Sequence, residues 1–159
     1  RFEIISQHPL IVVDYAHTPD GLKGTLRTAR PLCKGKLICV FGCGGERDKG
    51  KRPQMGRIAD QYADCIILTN DNPRREHPKN IAVDIMIGRT GKAEWHLLHD
   101  RRKAIALAIS MAEENDVVII AGKGHEQEQE IGGVKYPFSD QEVVKSHLRF
   151  FKKKLDKSI

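Results

Sequence analysis

Four segments of the sequence combine glycines with charged and amide side chains, as small-molecule sites often do. They are residues 14–20 (DYAHTPD), 42–52 (GCGGERDKGKR), 70–77 (NDNPRREH) and 122–126 (GKGHE). Guanidinium groups bind carboxylates and phosphates, carboxylates bind ammonium groups, and a glycine-rich backbone lets a ligand approach closely. These residue types predict a site for a small charged ligand.

The second segment comes close to a phosphate-binding loop. Gly45 and Gly50-Lys51 keep the G-x-x-x-x-G-K spacing, but Arg52 stands where that loop needs Ser or Thr for magnesium. Pro53 then lacks a backbone donor. We therefore predict no nucleotide cradle and no dinucleotide site here. A basic loop suited to carboxylates or phosphates remains, with a solvated charged loop as the alternative; its cations are Arg47, Lys49, Lys51 and Arg52.

The third and fourth segments favour a zwitterionic ligand. In the third, Arg74 suits a carboxylate and Asp71 suits an ammonium group, although the same residues could be a plain turn. The fourth adds a cation and a second carboxylate, Glu126. Together with His125 this carboxylate matches half of a zinc-deaminase motif, but no P-C-x-x-C follows, so no metal site is predicted. His17, in a polar loop, is as readily structural as functional.

The elements that must position these segments alternate along the chain. Strands are predicted at 10–13, 36–41, 65–68, 95–98 and 117–121. Helices are predicted to begin near Thr18, Pro53, Pro78, Asp100 and Asp140, at capping side chains or N-terminal prolines. This alternation predicts an α/β fold, a Rossmann-like three-layer sandwich whose mostly parallel sheet of about six strands has helices on both faces.

The order of the elements also predicts where a ligand binds. In open α/β sheets, ligands bind outside the carboxyl ends of the strands. Each of the four segments follows a predicted strand, so we expect all four at one edge of the sheet.

The composition of the chain excludes several classes of protein. The chain has 159 residues, 40% of them apolar and 30% charged, and a net charge of +6. These values indicate one folded domain and exclude a disordered or fibrous chain. No apolar run approaches the ~20 residues of a membrane helix. Only 6% of the residues are aromatic, and they are not interleaved with basic ones as in nucleic-acid-binding domains. We expect neither a membrane nor a nucleic-acid partner.

The four cysteines indicate a reducing compartment. They are Cys33, Cys39, Cys43 and Cys65, and no two of them form a C-x-x-C pair. Two of them, Cys39 and Cys65, lie inside apolar runs, where a free thiol packs as a small hydrophobe. We therefore expect no disulfide framework, no zinc site and a cytoplasmic location.

Taken together, the four segments resemble the C-terminal domain of the Mur ligases, ATP-dependent amide ligases of bacterial peptidoglycan synthesis. The matching stretches are 12–20 (VVDYAHTPD), 41–53 (FGCGGERDKGKRP), 71–74 (DNPR) and 121–126 (AGKGHE). They follow the family's order and spacing, and the resemblance covers nearly all of residues 1–159. It is strongest to the branch that adds meso-diaminopimelate to UDP-N-acetylmuramoyl-L-alanyl-D-glutamate, through an acyl phosphate that the incoming amine attacks.

The resemblance implies roles for individual residues. Those that would hold meso-diaminopimelate are Arg47, Asp71, Asn72, Pro73, Arg74, Gly122 and Glu126. Those matching the segment that closes over ATP are Asp14, Tyr15 and His17, and Lys49 is a candidate phosphate contact. A lysine-adding relative would be expected to lack the arginine of DNPR, which favours diaminopimelate here.

The family's UDP-sugar domain and its central domain, with the ATP loop and magnesium ligands, do not match any part of these residues. We therefore expect the C-terminal domain of a larger ligase. Alone it should be inactive and hold neither ATP nor Mg²⁺. Two alternatives remain at this stage: a stand-alone module that binds an amino acid or nucleotide, and a basic nucleic-acid-binding domain, which steep salt dependence would reveal.

Overall fold

A six-stranded sheet between two layers of helices forms the centre of the computed structural model, which describes residues 1–158. Its strands are β1 (Glu3–Gln7), β2 (Leu10–Asp14), β3 (Leu37–Phe41), β4 (Cys65–Leu68), β5 (Glu94–Leu97) and β6 (Val117–Ala121). Their spatial order is β1-β2-β6-β3-β4-β5, and only β1 runs antiparallel to its neighbour. The predicted α/β sandwich with a mostly parallel sheet is confirmed.

Five helices and one hairpin complete the chain. The helices are α1 (Pro19–Ala29), α2 (Lys51–Tyr62), α3 (Pro78–Met86), α4 (Arg101–Met111) and α5 (Asp140–Ser158). A 3₁₀ turn (Arg30–Leu32) follows α1, and a separate antiparallel hairpin consists of β7 (Glu128–Ile131) and β8 (Val134–Pro137). Among the described residues, no helix is long and apolar enough to cross a bilayer.

Two apolar cores lie on opposite faces of the sheet. Helices α1, α2 and α3 pack on one face around Leu22, Leu26 and Met55. Helices α4 and α5 pack on the other face around Ile105 and Val144. Every residue of β3, β4 and β6 is buried, because helices cover both of their faces.

Strand β1 was not predicted. Its residues are half-buried or exposed, and it lies at the edge of the sheet. An edge strand of this kind lacks the continuous apolar run that identifies the buried strands. Its pairing with β2 brings the sheet to six strands.

Two helix starts follow the predicted capping chemistry. The hydroxyl of Thr18 accepts a hydrogen bond from the backbone N–H of Gly21 at 3.0 Å. The carboxylate of Asp100 accepts one from the N–H of Lys103 at 3.2 Å. Each bond satisfies an N–H that has no partner within the helix.

Two other predicted starts are wrong. Helix α2 begins at Lys51 and not at Pro53, because a proline is tolerated anywhere in the first turn, where its missing N–H is not needed. Asp140 does not cap α5. It is the first residue of that helix, and the hydroxyl of Ser139 accepts the hydrogen bond from the N–H of Glu142 instead, at 3.3 Å.

Candidate functional site

A cleft of about 460 Å³ lies at the carboxyl ends of β2, β3, β4 and β6. Its lining includes eight of the residues that the resemblance singled out: Tyr15, His17, Arg47, Asp71, Asn72, Arg74, Gly122 and Glu126. The lining also includes Thr18, Gly42, Cys43, Gly44, Asp48 and Lys51. The four segments therefore meet at one edge of the sheet, as the order of the elements predicts.

Three of the predicted residues do not line this cleft. The carboxylate of Asp14 accepts hydrogen bonds from the N–H of Ala16 at 3.0 Å and the hydroxyl of Thr25 at 2.9 Å, so it braces the loop after β2. Pro73 is buried, and Lys49 is exposed outside the lining. Ligand contacts of these three residues, like those of the eight that line the cleft, remain predictions.

The base of the cleft holds an ammonium group between three polar side chains. Lys123 is fully buried. Its Nζ lies 2.9 Å from Asn72 Oδ1, 3.1 Å from Glu126 Oε1 and 3.7 Å from Asp71 Oδ1. In the sequence this lysine is simply a cation between two glycines, and nothing there shows that it lies beneath the cleft.

Asp71 sits at the base of the cleft beside a glycine that lets it fit. Burial raises the pKa of its carboxyl, against the lowering effects of Arg101 and Lys123. Gly122 has φ +116°, and a Cβ there would lie 2.7 Å from Asp71 Oδ2. A larger residue would be strained and would push against this carboxylate, so the end of β6 requires glycine.

Arg74 directs its guanidinium into the cleft from a strained backbone. Its φ is +55°, in the left-handed region that few non-glycine residues adopt. Nη1 donates to the carbonyl of Gly45 at 3.0 Å, and Nε lies 3.8 Å from Glu130 Oε1. A Cβ at Gly45 would lie only 1.9 Å from the carbonyl oxygen of Pro73, so glycine permits the close approach of the two loops.

The hairpin β7–β8 braces the turn at 71–74. The side-chain amide of Gln129 donates to the carbonyl of Asp71 at 2.8 Å. The backbone of Glu130 accepts from the N–H of Arg74 at 3.0 Å and donates to Asn72 Oδ1 at 3.0 Å. The sequence indicated short extended pieces here but gave no sign that they pack against the cleft.

Arg52 is not available to a ligand, so the interpretation of this residue as a ligand-binding cation is wrong. Its side chain is fully buried and forms two hydrogen bonds with Glu76, at 2.7 and 2.8 Å. It also donates to Asp84 and to the carbonyl of Gly44, each at 3.0 Å. The residue that breaks the phosphate-loop pattern therefore fastens the glycine loop to α3 and its preceding turn.

This ion pair predicts a loss of stability in acid. The hydrogen bonds from Arg52 lower the pKa of Glu76 to about 2. A carboxylate with a lowered folded-state pKa stabilises the fold above its unfolded pKa and loses that effect as the pH falls through the folded value. Glu76→Gln should cost about 2 kcal/mol at pH 7, since Arg52 keeps Asp84 as a partner.

The difference in unfolding free energy between wild type and Glu76→Gln should shrink as the pH falls from about 5 to about 2. Urea denaturation at several pH values measures it. Glu114→Gln is the control, because Glu114 is an exposed carboxylate at the opposite end of the sheet. A difference that stays constant over this pH range would contradict a stabilising ion pair between Arg52 and Glu76.

The side of the cleft formed by the segment after β2 is held by Lys51. The rings of Tyr15 and His17 meet edge to face, with centroids 4.6 Å apart. The ammonium of Lys51 donates to the carbonyl of His17 at 2.8 Å.

Nearby, burial raises the pKa of Cys43 to about 12, so this residue presents a thiol and not a nucleophilic thiolate.

A cluster with metal-ligating side chains lies away from the cleft. Among the described residues, Cys65, Glu94 and His96 place their ligand atoms within 4.8 Å of one another. His96 Nε2 and Glu94 Oε2 already pair at 2.6 Å, and burial raises the pKa of Cys65 to about 11. The group is thus a hydrogen-bonded pair of Glu94 and His96 beside a protonated thiol, at the amino ends of β4 and β5.

Comparison with known proteins agrees with this geometry. Residues 1–124 match the family model described as "Mur ligase, glutamate ligase domain". The chain belongs to the Mur ligase family. The family resemblance inferred from the four segments is therefore confirmed.

Individual Mur ligases are similar over most of the chain. It is 58% identical over 149 residues to the UDP-N-acetylmuramoyl-L-alanyl-D-glutamate–2,6-diaminopimelate ligase of Aquifex aeolicus, covering 93% of this chain and 31% of that protein. It is 54% identical over 150 residues to the enzyme of the same name from Coxiella burnetii, covering 93% and 31%. The chain thus spans about a third of the length of these relatives.

A solved structure of a Mur ligase matches the fold. It carries the name UDP-N-acetylmuramoyl-L-alanyl-D-glutamate–2,6-diaminopimelate ligase and superposes with a TM-score of 0.92 at 45% sequence identity. The match covers 96% of this chain and 32% of that one.

Proposed function

We propose that this chain is the domain of a Mur ligase that binds meso-diaminopimelate while the enzyme joins it to UDP-N-acetylmuramoyl-L-alanyl-D-glutamate. The observation that carries the proposal is the charge pattern of the cleft. Two guanidinium groups, those of Arg47 and Arg74, line it together with the carboxylates of Asp71 and Glu126. Meso-diaminopimelate carries two carboxylates and two ammonium groups, and the names of the relatives include 2,6-diaminopimelate.

In the proposed reaction, an amine of the bound amino acid attacks the acyl phosphate of the nucleotide precursor, so that the C–N amide bond forms as phosphate leaves and the nitrogen gives up a proton. The residues of this chain would orient that amine. Asp71 and Glu126 accept hydrogen bonds from the ammonium groups, and Arg74 pairs with a carboxylate. Fixing the amine in this way converts part of a bimolecular encounter into a unimolecular step.

ATP and Mg²⁺ belong to the proposal as cofactors of the whole ligase. In the segment 42–52, Arg52 is buried in an ion pair, and Lys51 donates to the carbonyl of His17. The proposal leaves Tyr15 and His17 as one side of the ATP site, with the phosphates and metal held elsewhere in the enzyme.

The proposed cellular location of the ligase follows from its membership of the Mur ligase family. The ligase would work in the bacterial cytoplasm, with the nucleotide precursor bound by other domains. Neither a membrane nor a nucleic acid is a proposed partner.

The isolated chain should fold but form no amide bond, whereas a full-length enzyme that contains it should consume meso-diaminopimelate.

Glu126→Ala tests the site. In the full-length enzyme this change should raise the KM for meso-diaminopimelate about tenfold or more, because a hydrogen bond to a charged group contributes about 1.5–3 kcal/mol. The KM for ATP should change little. Steady-state kinetics of amide formation with each substrate varied in turn measures both values.

The matched control for that experiment is Glu114→Ala, which removes an exposed carboxylate at the other end of the sheet. It should leave both KM values unchanged. Equal increases for the two substrates in Glu126→Ala would mean that Glu126 shapes the domain and does not contact the amino acid.

A further inference from the structure

Lys123 is a buried cation to which no ligand contact is assigned, and its neighbours are the residues proposed to hold the amino acid. We propose that Lys123 is a positioning residue that fixes which hydrogen-bonding atoms Asn72 and Glu126 present to the amino acid. This inference rests on the proposed function. Three features of the site support it: the turn that buries Lys123, the atoms that its ammonium contacts, and the charge that it balances.

The turn after β6 places Lys123 beneath the cleft. The glycines on either side have positive φ angles, +116° at Gly122 and +56° at Gly124. The N–H of Glu126 donates to the carbonyl of Lys123 at 3.0 Å and closes the turn. As a result Lys123 is fully buried while Glu126 reaches the cleft lining.

The ammonium of Lys123 fixes the orientation of the Asn72 amide. Asn72 Oδ1 accepts from Lys123 Nζ at 2.9 Å and from the N–H of Glu130 at 3.0 Å. A carbonyl oxygen has two lone pairs, so both are engaged. Asn72 therefore offers only N–H donors to a ligand, and such donors bind a carboxylate and not an ammonium group.

The same ammonium donates a hydrogen bond to one of the two carboxylate oxygens of Glu126 and not to the other. Its Oε1 accepts from Lys123 Nζ at 3.1 Å and lies 3.4 Å from Asn72 Nδ2. Oε2 is left to accept a hydrogen bond from a ligand ammonium. A donor amide beside an acceptor oxygen matches the carboxylate and ammonium of one α-amino-acid group, so these residues would bind that group and Arg74 the second carboxylate.

Lys123 also balances the carboxylates at the base of the cleft. The charged groups around Asp71 are Lys123, Glu126, Arg101 and Asp140. Arg101 and Asp140 neutralise each other through hydrogen bonds of 2.8 Å. Without Lys123, the carboxylates of Asp71 and Glu126 would face each other without the cation that lies between them, and their repulsion would favour protonation of one of them.

The test uses Lys123→Met in the full-length ligase. The KM for meso-diaminopimelate should rise about tenfold or more at pH 7, with a much smaller change in the KM for ATP. The ratio of the variant's KM to that of wild type should fall as the pH rises, because the protonated carboxylate then ionises. Lys34→Met, which removes an exposed lysine at the other end of the sheet, should change neither KM.

A second comparison covers the case in which Lys123→Met does not fold. The double variant Lys123→Met/Glu126→Gln removes one charge of each sign and should be more stable. If Lys123 also positions Asn72, this double variant should have a KM for meso-diaminopimelate at least threefold above that of Glu126→Gln alone. Equal values would overturn the proposal.

The outcomes separate this inference from the proposed function. A wild-type enzyme that does not use meso-diaminopimelate would refute both. A wild-type enzyme that uses it, with a KM ratio for Lys123→Met that stays near one or does not vary with pH, would refute only the role of Lys123. A selective and pH-dependent rise in KM would support that role.

Discussion

Replacing Arg74 by alanine in the full-length ligase should lower the preference for meso-diaminopimelate over L-lysine by roughly tenfold to a hundredfold or more. The two amino acids differ by one carboxylate at the far end. A guanidinium matches a carboxylate with two parallel hydrogen bonds, and hydrogen bonds to charged groups contribute about 1.5–3 kcal/mol. This prediction rests on the proposed function.

The structure supports Arg74 as the residue that sets this preference. Its guanidinium lines the cleft, and the hydrogen bond to the carbonyl of Gly45 uses one of its five N–H donors. The left-handed backbone at φ +55° holds the side chain in place and is supported by the hairpin through Glu130. Arg74→Lys would keep the charge and lose the planar fork, so it should recover only part of the preference.

The measurement is the ratio of kcat/KM for meso-diaminopimelate to kcat/KM for lysine. Arg75→Ala is the matched control, because it removes the neighbouring arginine, which is exposed and outside the cleft lining. It should leave the ratio unchanged. If Arg74→Ala lowers overall activity but not the ratio, Arg74 supports the turn and does not select the amino acid.

Asp140→Ala should lower the free energy of unfolding by about 3–5 kcal/mol and the melting temperature by roughly 10–15 °C. Asp140 and Arg101 are each fully buried and share two hydrogen bonds of 2.8 Å. Removing the carboxylate leaves a guanidinium in the core without its counter-charge. Such a loss costs more than the ion pair itself contributes, because the remaining charge keeps its full desolvation penalty.

Asp140→Ala should also affect the cleft. Arg101 donates to the carbonyls of Asn70 at 3.0 Å and Ala121 at 3.2 Å. These residues immediately precede Asp71 and Gly122 in the sequence. A loosened Arg101 should therefore weaken the amino-acid site as well as the fold.

Urea denaturation and thermal melting measure the effect of Asp140→Ala. Asp20→Ala is the matched control, because Asp20 also lies in the first turn of a helix but is exposed, so its loss should cost well under half as much. Replacing both partners, as in Arg101→Met/Asp140→Leu, should recover much of the stability. A small effect of Asp140→Ala, similar to that of Asp20→Ala, would show that Arg101 is compensated in another way.

Much of the fold could be predicted because its signals are local. The buried strands β3, β4 and β6 are continuous apolar runs, and the helices between them repeat apolar residues at helical spacing. Capping by Thr18 and Asp100 also depends on residues only three positions apart. β1 was missed because an edge strand, half-buried and flanked by solvent, needs no such run.

The sequence alone also determined where the cleft lies. Polar, glycine-rich segments that follow parallel strands must meet at one edge of the sheet, and eight of the residues singled out do line one cleft there. The residue types of the cleft were therefore predictable from the order of the strands, without any knowledge of their contacts.

Only the tertiary structure decided which cations face the cleft and which are buried. Arg52 pairs with Glu76, 24 residues away, Arg101 with Asp140, 39 residues away, and Lys123 with Asn72, 51 residues away. In the sequence these cations look like Arg47 and Arg74, which line the cleft. A buried cation is stable in the interior only when packing brings its hydrogen-bonding partners to it. Sequence periodicity reports which face of an element is apolar, and it carries no information about such distant partners.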